Sequence, residues 1–102
     1  MNEVRTVQLR RYRITAGELP AFLDWWRARL LPARQGFGFR LESAFVVPET
    51  DEFVWAVSAE GDETAFGRLD AAWAASPERL AAFDGVPQRI AAMDVRIAVP
   101  AL

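Results

Sequence analysis

The sequence contains no cysteine and no histidine, and these two absences exclude several classes of site. Without cysteine the chain can form no disulfide framework, no thiol nucleophile and no thiolate metal site. Without histidine it lacks the commonest general base at neutral pH and the commonest metal and haem ligand. A hydrolase triad of the usual kind is therefore unavailable, and we predict that the protein uses no metal and no cofactor.

Long apolar runs and a dominant charge are also absent. No segment approaches the roughly 20 apolar residues of a membrane span, and the first residues contain no apolar stretch of signal-peptide length. The 12 basic and 14 acidic residues are well mixed and give a net charge of −2. Binding of nucleic acid requires a concentrated positive surface, which this chain does not offer. We therefore predict a cytoplasmic protein with neither a membrane nor a nucleic acid as partner.

Large apolar side chains, by contrast, are plentiful. Apolar residues make up 52% of the 102 positions, with four Trp and seven Phe among them. This is enough for one core, so we interpret residues 1–102 as a single domain. A domain of this size buries a modest fraction of its unfolded surface and often relies on a partner subunit.

Alternating apolar and polar residues predict four strands, at residues 4–14, 39–47, 52–60 and 90–99. Strands two and three are joined by about four residues and should pair antiparallel. In strand two, Phe39 and Phe45 are expected to share one face, whereas Ala44 and Val46 lie on the other.

Apolar residues at steps of three and four predict a first helix over about residues 18–35. Pro32 is expected to kink or end this helix. Arg34 falls near the apolar stripe if the helix continues past Pro32, and extends from the helix end to solvent if it does not; we favour the second position. A second helix is predicted to begin after Asp62, and a short helical insert after Ser76.

The resulting order β-α-β-β-α-β predicts an α+β, ferredoxin-like fold, with a four-stranded antiparallel sheet and helices on one face. Both faces of strands two and three carry apolar residues, and the helices can cover only one of them. A bare apolar sheet face would be a large exposed patch, which monomers avoid. We therefore predict a homodimer through the sheet face, in which two sheets form a barrel.

An ordered set of short motifs resembles a known family. The motifs are Leu9-Arg10-Arg11-Tyr12-Arg13-Ile14, Gly17, Phe22 and Trp26, Leu30-Leu31-Pro32, Gly38-Phe39, and Glu52-Phe53-Val54-Trp55. Over roughly residues 6–75 the chain resembles the NIPSNAP-like branch of the dimeric α+β barrel superfamily. The resemblance implies the fold and a dimer. The wider superfamily includes cofactor-free monooxygenases, polyketide cyclases, lactone isomerases and haem enzymes, so the resemblance implies no single reaction and no catalytic set.

A small-molecule pocket in this architecture would lie between the sheet and its helices. Arg10 and Tyr12 share one face of the first strand. The Arg10 guanidinium could hold a carboxylate or an enolate oxygen, and Tyr12 could donate a proton or a hydrogen bond; alternatively, both lie at the solvent side or the rim. Asp70 is the candidate base, as a desolvated carboxylate near the apolar stripe of the second helix. The alternative for Asp70 is a solvated position.

Three Trp residues and two further Arg residues are candidates for binding the substrate. Trp26, Trp55 and Trp73 could form apolar walls for a flat aromatic molecule, or could simply pack in the core. Arg40 and Arg96 could bind an anionic ligand, or could form surface salt bridges.

We therefore predict a small-molecule-binding protein, and two functions stay open. The first is a cofactor-independent enzyme of monooxygenase, cyclase or isomerase type that acts on a hydrophobic aromatic or polyketide-like substrate. The alternative is a non-catalytic ligand-binding or assembly protein. An open pocket with converging Arg and Tyr would favour the enzyme, and a closed, well-packed space would favour the alternative. A haem enzyme ranks third, because Tyr12 is the only Tyr and no His is available as axial ligand.

Overall fold

The computed structural model describes residues 4–101, which form one antiparallel sheet with helices on one side. The strands are β1 (Arg5–Ile14), β2 (Arg40–Val47), β3 (Glu52–Glu60) and β4 (Ile90–Ala98). The helices are α1 (Leu19–Trp25), α2 (Leu31–Phe37), α3 (Glu63–Ala74) and α4 (Pro77–Phe83). A π-helical turn (Trp26–Leu30) joins α1 to α2, and a 3₁₀ turn (Pro48–Thr50) joins β2 to β3. The strand order β2-β3-β1-β4 confirms the predicted ferredoxin-like α+β fold.

The first helix does not end at Pro32. The segments α1, π-helical turn and α2 follow one another without a break in helical backbone conformation, and Pro32 lies in the first turn of α2. Proline lacks an N–H and crowds the carbonyl four residues earlier in a regular α-helix. The π-helical turn changes the hydrogen-bond spacing just before the proline, since the Leu31 N–H donates to the Trp26 carbonyl five residues back. Of the two predicted effects of Pro32, a kink or an end, the end is therefore wrong, and the helix runs on to Phe37.

A β-bulge in β2 places Phe45 on the opposite face of the sheet from Phe39, which directly precedes the strand. Glu42 is an extra residue without a partner in the register between β2 and β3. Phe39 lies before the bulge and packs edge-on against Phe66 of α3, with ring centres 5.8 Å apart. Phe45 lies after the bulge, pairs with Val54 and is 66% exposed. The predicted common face for Phe39 and Phe45 is wrong, because one inserted residue reverses the alternation.

The core between the sheet and the helices is unusually aromatic. Its ring-bearing members are Tyr12, Phe22, Trp26, Phe39, Phe53, Trp55, Phe66 and Trp73. Most of these rings meet edge to face, as Trp26 does on Trp55 with ring centres 5.3 Å apart and an interplanar angle of 90°. This geometry places the positive edge of one ring against the negative face of the next, which adds to the stabilisation from burial.

The opposite side of the sheet carries no helix. We call it the open face and define it by Leu9, Phe45, Val54 and Ala56, which are placed on one side by the strand register. Leu9 and Phe45 are exposed in the single chain. Among residues 4–101, no helix is long and apolar enough to span a bilayer.

Gly61, between β3 and α3, is the glycine where an added methyl group would do most harm. Its φ is +100°, and a Cβ built there would lie 2.6 Å from the Ala65 Cβ. Backbone strain and overpacking then add together, so we expect Gly61→Ala to lower the free energy of unfolding by about 2–5 kcal/mol. Gly85→Ala is the matched control, because Gly85 has φ +71° but nothing within 4 Å of the new Cβ. In Gly85→Ala the free energy of unfolding should fall by only about 1–2 kcal/mol. If denaturant unfolding shows equal losses of this free energy in the two variants, the clash at Gly61 is contradicted.

Candidate functional site

The structure brings four of the predicted site residues together on the helix side of the sheet. Arg10 Nε donates to the Tyr12 hydroxyl at 2.6 Å, and Arg10 Nη1 donates to Gln8 Oε1 at 2.6 Å. The Arg10 guanidinium carbon lies 5.8 Å from the centre of the Trp55 ring, which Trp26 contacts from the side. Arg10 and Tyr12 therefore share the inner face of β1 and bind each other there.

Arg34 takes the position that the sequence predicts for a helix that continues past Pro32, and not the favoured solvent position. The helix continues past Pro32, so Arg34 does not extend to solvent but is only 4% exposed. Its guanidinium carbon lies 4.8 Å from the ring centre of Phe39, 5.1 Å from that of Trp73 and 5.5 Å from that of Trp55. These are cation–π distances, and three rings thus surround the charge.

Burial governs the ionisation of Arg34. Loss of solvent, and to a smaller extent the positive charge of Arg10, lower the pKa of the guanidinium to about 10. The Asp70 carboxylate acts through space in the opposite direction. At neutral pH the group still carries its proton, so a full positive charge lies in the aromatic core.

Four buried side-chain nitrogen atoms of Arg34 and of two Trp residues have no acceptor among residues 4–101. They are Arg34 Nε, Arg34 Nη1 and the indole Nε1 atoms of Trp26 and Trp55. Arg and Trp side chains are donors only, so they cannot satisfy one another. We use the name donor cluster for Arg34, Trp26 and Trp55 together with Arg10, whose N–H groups bind Tyr12 and Gln8. Buried donors without a partner are rare in proteins and costly, at about 1–3 kcal/mol each.

The other predicted residues lie at varying distances from the donor cluster. Trp73 packs against Arg34, and Asp70 is a half-buried residue of α3 whose charge reaches Arg34. Arg40 Nη2 binds Glu60 Oε1 at 3.1 Å on the exposed surface. Arg96, in register with Leu9 of the open face, binds Asp94 at 2.9 Å. A ligand role for Arg40 and Arg96 stays a prediction. Within residues 4–101, no three acidic side chains are grouped to hold a metal ion.

The helix side of β4 is uncovered beside the donor cluster. Met93 and Ile97 are in register with Tyr12 and Gln8, so their side chains lie on the helix side of the sheet, and both are exposed. Arg10 lies between these rows and is only half-buried. An apolar strip therefore leads from solvent to the Arg10 guanidinium.

A separate cavity of about 250 Å³ lies between α1, α4 and the segment 86–89 that precedes β4. Phe22, Trp25 and Phe83 line it together with Arg79 and Arg89. None of the site residues predicted from the sequence lines this cavity. It is formed by two short helices and a loop that are far apart along the chain, and no sequence pattern indicates that they meet.

Comparison with solved structures establishes how the fold is related to known proteins. An uncharacterised NIPSNAP domain protein from Burkholderia xenovorans superimposes with a TM-score of 0.81, covering 94% of each chain at 24% identity. A NIPSNAP family protein from Agrobacterium tumefaciens gives a TM-score of 0.84 at 17% identity, covering 98% of this chain and 89% of that one. The chain has the fold of the NIPSNAP domain proteins. The resemblance inferred from the sequence is thus confirmed for the fold.

The NIPSNAP fold is also similar to a second group of solved structures. A candidate antibiotic biosynthesis monooxygenase from Nitrosomonas europaea superimposes on this chain with a TM-score of 0.70 at 14% identity, covering 99% of this chain and 94% of that one. No family model matches the chain, and no curated protein matches it. The comparisons therefore establish the NIPSNAP-like fold, and the function has to be argued from the site.

Proposed function

We propose that this protein is a homodimer that binds a small hydrophobic molecule carrying an anionic oxygen, with that oxygen at the donor cluster. The observation that carries the proposal is the set of four buried N–H groups without acceptors around Arg34. A carboxylate, phenolate or enolate oxygen would accept hydrogen bonds from these groups and neutralise the Arg34 charge. Charge-assisted hydrogen bonds of this kind are roughly twice as strong as neutral ones.

The apolar part of the ligand would lie on the exposed side chains of β4. Met93 and Ile97 provide an apolar surface in register with Tyr12 and Gln8, next to the half-buried Arg10. A molecule with an anionic group at one end and an apolar body at the other can therefore contact Arg10 and this strip together. This division into a polar end and an apolar wall is typical of small-molecule sites.

The donor cluster is also suited to a cofactor-independent reaction through an enolate or a phenolate. Donors fixed in a dry site stabilise an oxyanion as it forms, which lowers the activation barrier. Tyr12 accepts from Arg10, so its own hydroxyl proton is free to be donated to the ligand. Asp70, whose charge reaches Arg34, is the candidate base. These roles fit the monooxygenase, cyclase or isomerase type of chemistry.

A non-catalytic ligand-binding protein is the second candidate, and one observation favours it. The aromatic rings around Arg34 are closely packed, and Trp55 is 0% exposed. Proton transfer to and from a bound carbon requires room for the substrate to approach Asp70 and Tyr12. Turnover of an enolisable ligand, measured as exchange of its α-proton for deuterium, separates the two candidates: exchange that depends on Asp70 favours the enzyme, and binding without exchange favours the second candidate.

The ligand proposal is tested by a matched pair of probes, 3-phenylpropanoate and its neutral amide. We expect the anion to bind at least about tenfold more tightly, because a charge-assisted hydrogen bond contributes about 1.5–3 kcal/mol. Arg10→Met should remove about tenfold to a hundredfold of the affinity for the anion. Arg27→Met is the control, since Arg27 is an exposed residue of the π-helical turn. Calorimetric titration that gives equal affinities for both probes, or an unchanged affinity in Arg10→Met, contradicts the proposal.

A further inference from the structure

The cavity of about 250 Å³ between α1, α4 and the segment 86–89 has rigid aromatic walls. The ring centre of Trp25 lies 5.7 Å from that of Phe22 and 5.0 Å from that of Phe83. Trp25 Nε1 donates to the Ala82 carbonyl at 2.9 Å, which fixes the indole against α4. Flat walls held in this way favour a flat ligand, because little side-chain freedom is lost when it binds.

Two guanidinium groups line the same cavity, and no acidic side chain lines it. The Arg79 guanidinium carbon lies 4.3 Å from the centre of the Phe83 ring, so its charge stays next to the aromatic wall. Arg89 Nε is buried and has no hydrogen-bond partner. The Glu18 carboxylate approaches Arg89 Nε to 3.6 Å from outside the cavity lining, which balances one of the two positive charges. The cavity therefore keeps a net positive charge, and its buried donor Arg89 Nε makes no hydrogen bond among residues 4–101.

We propose that this cavity is a second binding site, for a planar aromatic carboxylate of one or two rings. The ligand ring packs against the edges of Trp25 and Phe83 that line the cavity, and its carboxylate accepts from Arg89 Nε. A volume of about 250 Å³ is below the range of roughly 300–1,000 Å³ that drug-sized ligands occupy, which limits the ligand to one or two rings. The site goes beyond the proposed function, because it uses none of the donor-cluster residues.

Indole N–H signals in a ¹⁵N–¹H correlation spectrum test the proposal, because the chain has only four Trp residues. Trp25 reports on the cavity, whereas Trp26 and Trp55 report on the donor cluster. On titration with naphthalene-2-carboxylate we expect the Trp25 signal to move and the signals of Trp26 and Trp55 to stay in place. The neutral naphthalene-2-carboxamide should bind at least about tenfold more weakly.

Two variants with opposite expected effects make the test sharper. Arg89→Met should weaken the binding of naphthalene-2-carboxylate about tenfold or more, because it removes a buried cavity donor that makes no hydrogen bond within residues 4–101. Glu18→Gln removes the carboxylate near Arg89 and should strengthen binding severalfold. Arg27→Met should leave the affinity unchanged.

The outcomes also separate this site from the proposed function. If the signals of Trp26 and Trp55 move while that of Trp25 does not, the second site is refuted and the donor cluster stands. Equal binding of the amide, or full affinity in Arg89→Met, also refutes the second site. If Trp25 responds with full affinity in Arg10→Met, the two sites are independent, as we propose.

Discussion

Replacement of Arg34 by Met is expected to stabilise the fold and to abolish the binding of anionic ligands at the donor cluster. Burial, with a smaller effect of the Arg10 charge, lowers the pKa of Arg34 to about 10. Since one pKa unit corresponds to about 1.4 kcal/mol, the buried charge costs about 3 kcal/mol. Met is unbranched like Arg and has no side-chain N–H group of its own that would lack a partner.

Attraction between the guanidinium and its three aromatic rings works against this gain. Each cation–π contact contributes about 0.5–2 kcal/mol. A Met sulfur near the same rings recovers about 0.3–1.5 kcal/mol per contact, so most of this attraction is replaced. The cost of the unpaired charge is therefore the larger effect, and we expect Arg34→Met to raise the free energy of unfolding by about 1–3 kcal/mol.

The affinity for anionic ligands should fall in Arg34→Met, although the free energy of unfolding rises. Without the Arg34 charge, affinity for 3-phenylpropanoate is expected to fall about a hundredfold, while Arg27→Met keeps the wild-type affinity and stability. Because the charged form of Arg34 is disfavoured in the folded state, its cost is present below pH 10 and is relieved as the pH rises above about 10. The stability difference between Arg34→Met and the wild type should therefore shrink above pH 10.

The two measurements distinguish a ligand anchor from a structural cation. A variant that is more stable but binds the anion normally would show that Arg34 does not contact the ligand. A variant that is destabilised by more than about 2 kcal/mol would show that the three aromatic rings need the cation. Denaturant unfolding and calorimetric titration of the same preparations decide between these results.

Phe45→Asp is expected to convert the proposed homodimer into a folded monomer. Phe45 is 66% exposed on the open face, where a second sheet would cover it. In a dimer the new carboxylate would be buried without a partner, at a cost of several kcal/mol. In the monomer the same carboxylate stays in water, so stability should change by no more than about 0.5 kcal/mol. The dimer dissociation constant should therefore rise at least about a hundredfold.

Leu80→Asp is the matched control for this substitution. Leu80 is 72% exposed as well, but it lies on α4, at the helix side of the molecule. Sedimentation velocity over a range of concentrations should show a dimer for the wild type and for Leu80→Asp, and a monomer for Phe45→Asp. A wild-type monomer at all concentrations, or a dimer of Phe45→Asp, would refute association through the open face.

The fold could be predicted from the sequence because its signals are local. The strand expected at residues 52–60 matches β3, and the one expected at 90–99 begins, as β4 does, at Ile90. Asp62 caps α3 and Ser76 caps α4 through their side chains, as their residue types indicate. Periodicity and caps act over a few residues, so they can be recognised without knowledge of the rest of the molecule.

The details of the site depend on interactions that the periodicity of the sequence does not reveal. The contact between Arg10 and Tyr12 was foreseeable, because residues two apart on a strand share a face. The burial of Arg34 could be predicted only for a helix that continues past Pro32, and the π-helical turn through which it continues has no recognisable sequence signal. The alternation of apolar and polar residues likewise does not predict the bulge at Glu42. This bulge decides whether Phe45 faces the core or the open face.

The π-helical turn before Pro32 has an effect beyond tolerating the proline. It accommodates one residue more than a regular helical turn, so every side chain after it is offset by one position. One position corresponds to a rotation of about 100° about the helix axis. Deleting Ala28 from this turn would rotate α2 by that angle and swing Arg34 out of its aromatic surroundings. The helical phase set by this turn thus determines whether the Arg34 guanidinium lies among the aromatic rings of the core, although the turn itself lies earlier in the chain.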